Sequence, residues 1–128
     1  MTTAIVCTAL LAALMFVLAI RTSKQRAKAE DQIPTRTDDP LFVAMRAHGN
    51  AAENNPLLAV LMLVVGSFDP AVWLEVVMVL VTASRFAHAI GVVHGADMAK
   101  EAPLRFVGAI VTINGGILLA VAAAVLAL

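Results

Sequence analysis

The sequence predicts an all-α, integral-membrane four-helix bundle, and three observations predict it. Of its 128 residues, 61% are hydrophobic and only 14% charged, with a mean hydropathy of +0.91. That is more apolar than a soluble domain of this length sustains. Uncharged stretches long enough to cross a hydrocarbon core of roughly 30 Å recur along the chain. Carboxylate-proline pairs and a lone proline, which open helices, stand between those stretches. No linker or low-complexity tract interrupts the pattern, so residues 1–128 read as one membrane domain with spans near 2–20, 41–68, 71–93 and 104–128.

Thr2 to Ile20 carries no charge and forms the first span. Its basic residues follow it, which is the reverse of a signal peptide, so a retained helix is expected. Arg21, Lys24, Arg26 and Lys28 then open a solvated polar segment that runs to Asp39. Asp39-Pro40 and Asp69-Pro70 repeat one start signal: a carboxylate able to cap free N–H groups, then a proline whose missing donor costs nothing at the first helical position. The connection around Ser67 to Pro70 is too short for anything but a turn, so the second and third helices are antiparallel neighbours. His94 to Glu101 is a second polar connection. Pro103 opens the last helix, uncharged from Phe106 to Leu128. Pro56 removes the N–H that would reach the Ala52 carbonyl and should bend the second helix there. Gly115-Gly116 and the alanines of the last helix predict close helix packing, and Cys7, alone in an apolar run, predicts a packing thiol.

Polar groups within such spans are expensive and mark a functional site by default. At 100° per residue, Arg46, Asn50 and Glu53 share one face of the second helix, with His48 on the opposite side. Arg85, His88 and Val92 form a similar stripe on the third. Counted from the short turn, Glu53 and Arg85 both lie about 24 Å in, so they either neutralise each other or form the floor of a site. Asn50 and Asn114 serve either a ligand or interhelical hydrogen bonds. No His/Cys/Asp/Glu set has metal spacing. Catalytic triads, phosphate loops and dinucleotide fingerprints are absent from the sequence. A net charge of +0 without a basic patch disfavours nucleic acid. A proton-coupled multidrug transporter needs a carboxylate in the first helix, and Thr2 to Ile20 has none. What remains is an arginine-rich pocket of Arg46, Arg85 and Arg105 with Asn50 and Glu53. It suits a small polyanionic, hydrogen-bonding ligand beside a lipophilic one.

The stretch Arg46-Ala47-His48-x-Asn50-x-x-Glu53-x-x-Pro56, then Arg85-x-x-His88 and Ala102-Pro103-Leu104-Arg105, resembles the MAPEG family, the membrane-associated proteins of eicosanoid and glutathione metabolism, and its small bacterial branch in particular. The resemblance implies a left-handed four-helix bundle assembled as a homotrimer in the bacterial inner membrane. It also implies glutathione held between subunits near the cytoplasmic side, and conjugation of lipophilic electrophiles or reduction of lipid hydroperoxides. Carried over, Arg46, Asn50, Glu53, Arg85 and His88 would hold glutathione, and Arg105 would stabilise its thiolate as the catalytic residue. The chain departs from the family at Val92, where transferases usually carry tyrosine. Asn54 stands where some members have tyrosine, and Phe106 where the prostaglandin-synthase branch has serine. A non-catalytic trimeric scaffold or lipid-binding protein of the same fold is therefore the competing expectation.

The positive-inside rule sets orientation. Lys/Arg residues crowd the Arg21 to Asp39 segment and flank the third connection at Lys100 and Arg105, while the Ser67 to Pro70 turn has none. Both termini are then non-cytoplasmic. Reporter fusions at Leu128 should be active only outside the cytoplasm, and a fusion active only inside reverses the assignment.

Overall fold

In a computed structural model, which describes residues 1–30, 33–95 and 97–128, the chain forms four helices: α1 (Thr2–Arg26), α2 (Pro40–Ser67), α3 (Val72–Val93) and α4 (Pro103–Leu126). Three of them, α1, α3 and α4, are long and apolar enough to cross a membrane. The exception, α2, is the longest at 28 residues; its first half carries the Arg46 to Asn55 polar cluster. Pro56 lies within α2 and the helix continues through it.

Two helix boundaries differ from expectation. The first helix continues past Ile20 to Arg26, because Lys and Arg are good helix formers and their charges complement the C-terminal end of the helix dipole. Asp39 caps α2 as expected, its carboxylate accepting from the Leu41 N–H at 2.7 Å, but Asp69 does not cap α3. It adopts φ 52°, a left-handed conformation that aspartate tolerates better than most residues. There it reverses the chain, and α3 begins at Val72 after Ala71, without a side-chain cap.

Helix α1 packs on α2 and α3, and α4 packs on α3 and α2, but the backbones of α1 and α4 do not approach each other closely. The cross-section is a rhombus with α2 and α3 on its short diagonal. At one end the Met98 N–H donates to the Thr37 carbonyl at 3.1 Å, tying the two long connections together. In the same connections Asp97 accepts from the Ala99 N–H at 2.9 Å, which, with the Thr37 hydroxyl, holds its carboxyl below the usual range. At the other end Met1 and Ala4 lie against Gly66, so both termini share the end of the Phe68 to Ala71 turn.

The core divides in two. One cluster, including Leu11, Leu58, Met62, Met78, Val81 and Leu119, fills the turn end. A second, including Leu14, Leu18, Val43, Ala51, Ala89 and Val92, fills the connection end. Cys7 is buried at 3% exposure in the first, as packing.

Small residues bring α3 and α4 together. Gly91 faces the Arg105 backbone, Gly108 faces His88, and Gly115 faces Val81. Between them Ser84 and Thr112 share a hydrogen bond of 3.0 Å. Each step along α3 is matched by an equal step back along α4. A Cβ on Gly108 would lie 2.8 Å from the His88 main-chain nitrogen, backbone that cannot swing aside. Gly108→Ala should therefore lower stability by about 1–3 kcal/mol. Gly49, in α2 with nothing within 4 Å of its would-be Cβ, is the control: Gly49→Ala should raise stability by about 0.5–1 kcal/mol. Chemical denaturation in detergent measures both.

Candidate functional site

At the connection end, α2, α3, α4 and the α3–α4 connection enclose a cavity of about 630 Å³. Its wall includes Arg46 and Asn50 from α2, His88 and Val92 from α3, and Arg105 and Phe106 from α4. Arg46 and Asn50 stand four residues apart, as do His88 and Val92, so each pair lies on one helical face. Four of the sequence-predicted site residues, Arg46, Asn50, His88 and Arg105, thus meet around one space.

Close packing of α3 on α4 sets the far wall. Because Gly91 and Gly108 let the backbones approach, His88 Nδ1 lies 2.9 Å from the Arg105 carbonyl oxygen. A carbonyl only accepts, so this bond places a hydrogen on Nδ1. The Arg105 guanidinium closes the α3–α4 connection, donating to the Met98 carbonyl at 3.2 Å and the Lys100 carbonyl at 2.9 Å. Met98 and Glu101 complete this side of the cavity. Val92, 2% exposed, and Phe106 make the remaining wall apolar.

Arg85 and Glu53 sit elsewhere than expected. Arg85 is buried at 2% exposure, behind the cavity wall. Its Nε donates to Asn55 Oδ1 at 2.9 Å. Its Nη2 donates to Asn50 Oδ1 at 2.6 Å and to the Asn50 carbonyl at 3.1 Å. Asn55, itself 2% exposed, donates through Nδ2 to the Leu11 carbonyl of α1 at 2.9 Å. Glu53 is exposed. The only ion pair among the described residues joins Arg36 and Asp38, at 2.7 Å in the α1–α2 connection. The expected Glu53–Arg85 pair is therefore not formed. Depth counting placed the two at one level correctly, but helix rotation decides contact. At 100° per residue, Glu53 points about 130° away from the direction midway between Asn50 and Asn55, where Arg85 enters.

Sequence reasoning missed Asn55, Met98 and Glu101. Asn55 had one visible signal, an amide beside Pro56 at the edge of an apolar run. Met98 and Glu101 had none, since irregular connections carry no periodicity from which to read a direction. Among the described residues no cluster of His, Cys, Asp and Glu could hold a metal ion. A separate groove of about 760 Å³ between α1 and α3, lined by Val6, Leu10, Val79 and Phe86 among others, carries no charged side chain and offers no chemistry.

The arrangement can hold an anion between two guanidinium groups while an apolar wall accommodates hydrocarbon. A family model described as the MAPEG family matches residues 4–125. No curated protein and no solved structure matches the chain.

The hydrogen-bonded hub predicts an asymmetry. Asn55→Leu leaves the Arg85 Nε without an acceptor, while Nη2 keeps Asn50, and should lower stability by about 2–3 kcal/mol. Glu53→Gln should change it by no more than about 0.5 kcal/mol. Thermal and denaturant unfolding in detergent would rank them, and a larger loss for Glu53→Gln would restore the ion pair.

Proposed function

The chain belongs to the MAPEG family, and from that premise we propose that it is a glutathione-dependent membrane transferase or peroxidase acting on lipophilic electrophiles or lipid hydroperoxides. The observation that carries the reading is the cavity itself: Arg46, Arg105, Asn50 and His88 face one space whose other wall is Val92 and Phe106. Glutathione supplies a thiol nucleophile, two carboxylates and an ammonium group. Arg46 and the Asn50 amide suit a carboxylate, and Glu101 suits the ammonium. Phe106 is 66% exposed on the outer side of α4, so a hydrophobic co-substrate can approach from the bilayer.

Arg105 carries the activation step. A thiol near pKa 8.5 is mostly protonated at neutral pH, and a guanidinium within a few ångströms favours the thiolate. In the free protein that guanidinium is bonded to the Met98 and Lys100 carbonyls. A guanidinium has five N–H donors, so those not used by these carbonyls remain for a thiolate, a charged and therefore stronger acceptor.

We also propose the homotrimer, in a bacterial inner membrane with both termini non-cytoplasmic. Arg46 and Glu53 are both exposed on one stripe of α2, available to a ligand held against a neighbouring copy. A second reading, a non-catalytic trimeric scaffold or lipid-binding protein, is favoured by one observation: Val92 puts no hydrogen-bond donor at the cavity wall where a tyrosine would.

Glutathione added to the detergent-purified protein should produce thiolate ultraviolet absorbance near neutral pH. Arg105→Leu should abolish it while binding persists through Arg46 and Asn50, and Val92→Tyr should increase it. Binding without thiolate in either the wild type or Val92→Tyr would replace the enzyme with the scaffold.

A further inference from the structure

Every member of the polar cluster behind the cavity has its direction fixed by the group before it. The Leu11 carbonyl of α1 can only accept, so the amide nitrogen of Asn55 must face it, at 2.9 Å. This turns Asn55 Oδ1 toward α3, where it receives Arg85 Nε at 2.9 Å. A guanidinium has donors and no acceptor, so the Asn50 atom it meets, 2.6 Å from Nη2, must be the oxygen. Rotating the Asn50 amide by half a turn would set two donors face to face in a bundle interior, a costly arrangement in a low dielectric. The Asn50 nitrogen is therefore the atom left over. It meets no acceptor among the described residues and is not sealed off, and Asn50, unlike Arg85 or Asn55, forms part of the cavity wall.

We propose that Asn55 and Arg85 are positioning residues that hold the Asn50 amide nitrogen toward the cavity, making that wall specific for a hydrogen-bond acceptor such as a carboxylate or peptide carbonyl and hostile to an ammonium group. Arg85 acts on the ligand through Asn50 and does not touch it. Its charge polarises the amide it holds, which strengthens the N–H groups on the far side. No carboxylate among the described residues pairs with Arg85, so its positive charge also favours an anion across the wall. The specificity for an acceptor deepens the reading of this cavity as a glutathione site and rests on it, whereas the directed chain of hydrogen bonds does not.

Asn50→Asp tests both parts. It replaces the cavity-facing nitrogen with a carboxylate oxygen and gives Arg85 a counter-charge. The variant should melt at a higher temperature than wild type in detergent, yet bind glutathione by calorimetry roughly 10- to 100-fold more weakly, the equivalent of one charge-assisted hydrogen bond. In an Arg85→Gln background Asn50→Asp should lower the melting temperature instead. Arg85→Gln alone should weaken glutathione binding roughly tenfold although residue 85 lies behind the wall. If Arg85→Gln does not fold, Arg85→Lys takes its place in the binding measurement, since one ammonium cannot bridge both amides, and Arg85→Met takes its place as the uncharged background for Asn50→Asp. A lower melting temperature for Asn50→Asp with Arg85 intact overturns the chain of hydrogen bonds, and wild-type affinity for glutathione in that variant overturns the acceptor specificity. If wild type binds no glutathione while Asn50→Asp is stabilising only with Arg85 present, the positioning stands and the glutathione reading falls.

Discussion

A guanidinium buried at 2% exposure inside an apolar bundle must find oxygen for its N–H groups, and among the described residues no carboxylate supplies it. A bilayer offers no water to stand in for a missing partner. Arg85 is satisfied by two asparagines of α2, which obliges α2 to carry amides in mid-helix and to lie directly against α3. The rhombic cross-section follows. With α2 and α3 on the short diagonal, α1 joins through the Asn55 bond to the Leu11 carbonyl, and α4 closes on the other side, its backbone apart from that of α1. The same polar level separates the two apolar clusters of the core.

The outer pairing of α3 with α4 obeys a different rule. Glycines opposite His88, Val81 and the Arg105 backbone remove every Cβ that would hold the helices apart. Packing of small residues is the usual basis of helix association where surrounding lipid is as apolar as the side chains. Here it also places chemistry. The approach that seats Gly108 against His88 brings the imidazole to the Arg105 carbonyl and sets the first turn of α4 over the cavity. A looser pair of helices would lose the wall as well as the contact.

Much of this was legible in the chain. Asp39-Pro40, the apolar stretches and the paired glycines of α4 each state a local requirement that only one arrangement satisfies, and the structure follows them. The i, i+4 spacings of Arg46 with Asn50 and of His88 with Val92 put each pair on one helical face, and the structure turns both pairs toward the cavity, while Glu53 and Arg85 of the same stripes lie elsewhere. What periodicity could not supply was the rotation of one helix against another. Glu53, Asn50 and Asn55 all lie within a turn of the Arg85 level, and only azimuth tells which of them Arg85 meets. Asp69 was misread for a related reason: a carboxylate before proline serves a cap or a tight reversal equally well, and the shortness of the connection selected the reversal.

The exclusion of α2 from the helices apolar enough to cross a membrane alone bears on how the protein enters the bilayer. An ionised residue near the centre of a helix raises its insertion free energy by about 2.5–3.5 kcal/mol when the helix partitions by itself, and amides add to the cost. Among the polar residues responsible, Asn50 and Asn55 of α2 and Arg85 of α3 satisfy one another across a connection only a few residues long. Entry of α2 and α3 together, as a hairpin with these groups already bonded, would lower that penalty. The residues that shape the cavity wall would then also be those that make the two spans compatible with the bilayer.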